Sequence, residues 1–244
     1  MKILALGNSF SEDATAYLES IAPTLYVRNL HIAGCSLETH AAHLAAGDPA
    51  YVWEEHARAI TPERVSANDK IGGERWDVIT VQQASSLSGI PGSYEPHLTR
   101  VLDAIGALCP GTRIVFHETW AYAADSTHAE FYRYHNDRGE MARAIRTAAG
   151  EAASAHGLDI IPTGRFIAYL REHGPAFGDD CTRDGFHLYI PYGRYAAALV
   201  WAHFFGAPVT DFVPDGADPA VLRAIREQYD RFAGERASIN GEEP

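Results

Sequence analysis

The chain has 244 residues, 46% hydrophobic and 21% charged, the make-up of a soluble globular protein with a sizeable core. Its 20 basic and 32 acidic residues leave a formal charge of -12, which repels phosphate backbones and anionic lipid, so neither nucleic acid nor a membrane is expected as a partner. Cys35, Cys109 and Cys181 have no CxxC spacing and suggest neither a disulfide framework nor a zinc knuckle.

In chain order, Lys2–Leu6 reads as a first strand that runs straight into Gly7, Asn8 and Ser9. The apolar run after Lys2 is too short for a secretion signal, and no segment approaches the roughly 20 apolar residues of a membrane span, so a cytoplasmic location is expected. Asp13–Ala22 has a helical pattern, with Ser11 as its expected N-cap. Tyr26–Ile32 reads as the second strand and Glu38–Leu44 as a helix. Residues 48–75 break the rhythm with "VWEEHARAI", read as a short helix, and a polar loop; this is an insertion too small to carry its own core.

Strands are then expected at Asp77–Gln82, Arg113–His117 and Leu158–Ile161, with helices at Glu95–Leu108, Glu130–His156 and Arg165–His173. "IPYGRYAAALVWAHFFG" reads as a buried closing helix. The expected organisation is one domain over 1–213, followed over 214–244 by a helix and a fraying acidic tail. Alternating strands and helices predict a parallel sheet covered on both faces, and the strands are apolar on both parities as that requires.

In such a sheet ligands gather beyond the carboxyl ends of the strands. That rule directs attention to Gly7-Asn8-Ser9, Ala33-Gly34-Cys35, Gln82-Gln83 and the His117–Trp120 segment. If Ser11 caps the helix, Ser9 has no structural duty. A serine hydroxyl is a weak nucleophile unless an imidazole takes its proton. "TRDGFHLYIPYG" supplies His187, with Asp184 three residues earlier to orient it. An isolated D-x-x-H is as readily a capping pair; beside Ser9 it gains weight.

The blocks "GNSF", "AGCSL", "WDVITVQQ" and "DGFHL", in this order, resemble the SGNH (GDSL-like) hydrolase superfamily, in a largely uncharacterised branch. The resemblance implies a three-layer α/β/α sandwich of flavodoxin-like type, here with five parallel strands. It implies Ser9 as nucleophile, Asp184 and His187 as its partners, and Gly34 with the Ser9 N–H as oxyanion-hole donors. One block departs: "VQQASS" stands where the superfamily has a G-x-N whose asparagine donates to the oxyanion. A glutamine offers the same donor on a longer arm. Adjacent strand residues face opposite ways, so only one can serve; Gln83 is favoured and Gln82 is the alternative.

Trp120, His117 and Ser85 are the expected substrate-binding residues around this centre, whereas Tyr122 reads as core and Glu118 as structural. His31, His40, His43 and His56 read as satisfied or solvated residues rather than metal ligands, and Cys35 as a lining residue by the family likeness. The expectation is therefore a serine esterase that needs no metal or cofactor. Its substrate would be a small acyl ester, acetyl first, on a polar alcohol; carbohydrate leads by resemblance to deacetylating relatives. Two alternatives stay open: a non-catalytic sugar- or nucleotide-binding module, and a metal-dependent phosphoesterase.

Overall fold

The structure, a computed structural model, describes residues 1–55, 59–178 and 180–240. These form a six-stranded sheet in the order β3-β2-β1-β4-β5-β6. The strands are β1 (Lys2–Gly7), β2 (Tyr26–His31), β3 (Val52–Glu54), β4 (Val78–Val81), β5 (Arg113–His117) and β6 (Asp159–Ile161). All neighbours pair in parallel except β3, which runs antiparallel to β2. The strand order reverses beside β1, because the chain first moves outward to β2 and then returns to β4 on the other side.

Alternate residues of β1 serve opposite layers. Ile3 and Ala5 join a core with helices α1 (Ser9–Thr15), α2 (Leu18–Ile21), α7 (Thr163–His173), α8 (Tyr192–Phe204) and α9 (Pro219–Asn240). Leu4 and Leu6 face the other layer, built from α3 (Leu37–Ala46), α4 (Ala67–Gly72), α5 (His97–Leu108) and the second half of α6 (Arg138–Ala155). The result is an α/β/α sandwich. The closing helix α8 is buried from Tyr195 to Ala202 because α1 and α2 pack on one side of it and α7 and α9 on another.

The expected five-stranded sheet is corrected to six. The "VWEEHARAI" stretch reads as a helix from its Glu, Ala and Arg content, but Val52 and Trp53 suit a strand, and pairing with β2 buries Trp53 and Glu54. Residues 56–58 and 241–244, which include His56 and the end of the expected tail, lie outside the described residues. Beyond β3 the chain doubles back along its free side: Tyr51 bridges Val65 and Glu54 bridges Ile60, both antiparallel.

Two helix boundaries also differ. The helix after β1 begins at Ser9, not Asp13, because Asn8 is its N-cap and accepts from the Phe10 N–H; Ser11 instead donates its hydroxyl back to the Asn8 carbonyl. The expected 130–156 helix divides into a 3-10 turn (Phe131–Tyr134) and α6. His135 and Asn136 take left-handed φ values of 53° and 54°, and Asp137 caps the new start through the Glu140 N–H.

Candidate active site

The turn that carries Ser9 is tight because β1 ends in Gly7. A Cβ there would lie 2.6 Å from Ser11 Oγ and 3.0 Å from Gln82 Cδ, so only glycine lets the strand pass this close to its neighbours. Asn8 then caps α1 and leaves Ser9 as its first residue, half-buried at the strand ends. The Ser9 N–H belongs to the first turn and has no acceptor within the helix. Parallel register sets Gly7 beside His31 and Leu6 beside Val81, which brings the loops after β2 and β4 to the same edge.

His187 arrives from a compact loop before α8. Thr182 bridges Leu188, and Asp184 Oδ1 accepts from the Phe186 and His187 N–H groups at 3.2 and 2.7 Å. Asp184 Oδ2 lies 2.7 Å from His187 Nδ1, and His187 Nε2 lies 2.9 Å from Ser9 Oγ. A carboxylate only accepts, so Nδ1 carries the proton and Nε2 is left to accept from the Ser9 hydroxyl. Partial burial opposes ionisation of Asp184, but hydrogen bonds from the His187 ring and from the His187 and Phe186 N–H groups outweigh it and hold the carboxyl below its ordinary range.

Three further contacts fix this loop. Trp120 Nε1 donates to the Phe186 carbonyl at 2.7 Å, and the Ala123 N–H donates to the Gly185 carbonyl at 2.8 Å. The third is Asp13, one turn after Ser9 on α1. Its buried carboxylate accepts from the Leu188 N–H at 2.8 Å, from Arg183 at 3.0 Å and from Arg194 Nε at 2.8 Å. The sequence pattern places Asp13 at the start of a helix and marks none of these three partners. A signal was present: once α1 starts at Ser9, Asp13 stands four residues on, and Arg183 sits in the same loop as His187.

Several expected site residues are placed elsewhere. Gln83 is not a hole donor: its Nε2 donates to the Ser93 carbonyl and hydroxyl, and its Oε1 accepts from the Leu37 and Ala84 N–H groups. Gln82 is buried and joins Asn8 to His117. Neither Trp120 nor His117 lines a substrate surface, since both are about fully buried and Trp120 stacks on Phe10 at 4.3 Å. Ser85 stays half-exposed and shares a 2.9 Å hydrogen bond with the Tyr122 hydroxyl. Gly34 is exposed with φ +64°, and nothing lies within 4 Å of where its Cβ would be.

Glu118 and three of the histidines singled out in the sequence pair away from this centre. Glu118 receives the Arg165 N–H and guanidinium at the start of α7. His31 pairs with Glu12, His40 with the Tyr51 hydroxyl and His43 with Asp48. Burial pushes the Cys35 thiol up to about 12, so it stays protonated. Beside His187 stand two half-exposed aromatic rings that the sequence does not mark: Phe186 packs at 4.3 Å from the His187 ring and His128 at 5.0 Å from Phe186, while Tyr122 lies buried behind His128 at 4.5 Å, as the core residue it is expected to be.

The family model described as "Domain of unknown function (DUF4886)" matches residues 2–221. A crystal structure of a DUF4886 family protein from Bacteroides uniformis ATCC 8492 is similar at 33% identity and TM-score 0.85, over 100% of this chain and 96% of that one. A protein from Slackia heliotrinireducens, provisionally assigned as an SGNH hydrolase, follows at 24% identity and TM-score 0.61, over 84% and 99%. An acetylxylan esterase from Geobacillus stearothermophilus shares the fold at 11% identity and TM-score 0.54, over 84% and 94%. No curated protein matches the chain.

Two predictions follow from the buried groups at this edge. Asp13→Asn leaves two guanidiniums without their countercharge and should lower stability by about 2–4 kcal/mol, read as a fall in the urea midpoint; an unchanged midpoint would deny the carboxylate its bridging role. Burial holds both His40 and His117 down to about 3. The unfolded chain therefore takes up protons that the folded one refuses as pH drops below about 6.5. Stability should be full above that pH and decline towards pH 3, by about 1.4 kcal/mol per histidine per pH unit. Urea midpoints compared at pH 7 and 5 test this, and the non-titrating His40→Gln should flatten the decline.

Proposed function

The chain belongs to the DUF4886 family, and from its site we propose that it is a serine esterase that cleaves a small acyl ester through an acyl-enzyme on Ser9. The observation that carries this reading is the unbroken series Asp184–His187–Ser9, with a 2.7 Å link within the loop and a 2.9 Å link between groups 178 positions apart in the chain. A serine at the start of a helix, facing an imidazole whose far nitrogen is tied to an ionised carboxylate, is the arrangement that activates a hydroxyl.

In this mechanism His187 Nε2 takes the Ser9 proton as Oγ attacks the ester carbonyl. Asp184 stays ionised, holds the tautomer and stabilises the imidazolium as it forms. The N–H groups of Ser9 and Gly34 receive the oxyanion, helped by the positive potential at the start of α1. With both glutamines engaged elsewhere, the hole has two backbone donors and no carboxamide. His187 then protonates the departing alcohol, and water repeats the steps on the acyl-enzyme.

Acetyl on a polar alcohol, carbohydrate first, is the substrate class we favour. The half-exposed Phe186 and His128 beside His187 offer flat faces with a polar edge, suited to a sugar ring. The sandwich shared with an acetylxylan esterase agrees with this choice.

Ser9→Ala should reduce p-nitrophenyl acetate hydrolysis by at least about a thousandfold while moving the melting temperature little. A variant that keeps its activity would remove Ser9 from the mechanism. Among p-nitrophenyl esters, kcat/KM should be highest for acetate and fall as the chain lengthens; rates that climb through octanoate would overturn the small-acyl assignment.

A further inference from the structure

Behind Ser9, four buried side chains are hydrogen-bonded in series from the first residue of α7 to the loop after β2. Thr163 Oγ1 lies 3.1 Å from His117 Nε2, His117 Nδ1 lies 2.6 Å from Gln82 Oε1, and Gln82 Nε2 lies 2.6 Å from Asn8 Oδ1. Asn8 Nδ2 completes the series with a 3.0 Å bond to the carbonyl of Cys35, the residue after Gly34. All four side chains are at most 1% exposed.

Only one direction of donation satisfies this chain, because backbone groups fix its end. The Cys35 carbonyl can only accept, and the Phe10 N–H, which also meets Asn8 Oδ1, can only donate. Asn8 must therefore present its NH2 to Cys35 and its oxygen to Gln82. Gln82 then donates to Asn8 and turns its oxygen to His117, which must carry its proton on Nδ1. Nε2 is left as an acceptor for the Thr163 hydroxyl. Reversing any link leaves two donors or two acceptors facing each other in a dry interior, which is costly.

We propose that Thr163, His117 and Gln82 are positioning residues that hold the Gly34–Cys35 loop in register with Ser9 through Asn8. The proposal rests on the esterase reading, since register between these two segments is what a two-donor oxyanion hole requires. Asn8 is the junction: its backbone precedes Ser9, its side chain caps α1, and its NH2 anchors the opposing loop. A hole built on backbone N–H groups alone has no flexible side chain to absorb a displacement, so a small shift of Gly34 weakens the transition state more than the bound substrate. An isostere at Thr163, on a different element from every catalytic group, should therefore act on kcat.

The test uses the full chain. In protein labelled with 15N-histidine, the long-range proton–nitrogen spectrum at pH 7 should show His117 as the neutral Nδ1–H tautomer; the Nε2–H tautomer or a protonated ring overturns the proposal with no variant needed. Thr163→Val should lower kcat for p-nitrophenyl acetate about tenfold with KM within about twofold, and shift the Gly34 and Cys35 backbone amide signals. Thr163→Ser, which restores the hydroxyl, should recover both. Unmoved amide signals in Thr163→Val, or a loss borne by KM alone, count against the relay. If Ser9→Ala remains active, the esterase reading falls, whereas the tautomer and the amide shifts still judge the relay by themselves.

Discussion

One carboxylate joins the two halves of the site. Asp13 lies on the same short helix as Ser9, and its oxygens hold the Leu188 N–H and the guanidiniums of Arg183 and Arg194. Leu188 is 175 residues away in sequence and adjacent to His187. The carboxylate is buried and hydrogen-bonded on both oxygens, the condition under which a charged group imposes geometry on its partners. It ties the helix of Ser9 directly to the loop of His187, whereas the Trp120 and Ala123 bonds hold that loop only to the chain after β5.

The sheet supplies the coarser placement. The reversal of strand order beside β1 sends α1 to one face and the chain after β4 to the other, which opens a crevice between them. Ser9 stands at that crevice, and parallel register draws the loops after β2 and β4 alongside. Local conformation then sharpens the arrangement: Gly7 for close passage, Asn8 to start the helix, and an aspartate that folds back on the histidine three residues later.

Much of this was legible in the residue order. Five strands and their shared edge followed from short apolar runs between amphipathic stretches, and Ser9, Asp184 and His187 stood out by residue type and position. What escaped was tertiary. Val52–Glu54 is a strand only because β2 offers it a partner, and its neighbours favour helix when judged locally. One of Gln82 and Gln83, at the end of the expected third strand, is expected to donate to the oxyanion, yet Ser93, Asn8 and His117 claim them, and no periodicity encodes that. Trp120 and His117 carry chemistry-bearing side chains after a strand, which reads as a pocket wall; their burial under Phe10 and α8 emerges only once the layers close.

The doubling-back of residues 59–65 along β3 bears on how this molecule behaves among its own copies. A parallel sheet of this kind ends in rows of unpaired amides and carbonyls, and such a rim readily recruits a strand from another chain. Here the bridges at Tyr51–Val65 and Glu54–Ile60 occupy the outer side of β3, so the chain shields that margin itself. The interruption between the second and third predicted strands thus becomes a cover for the rim of the sheet, at the end farthest from β6.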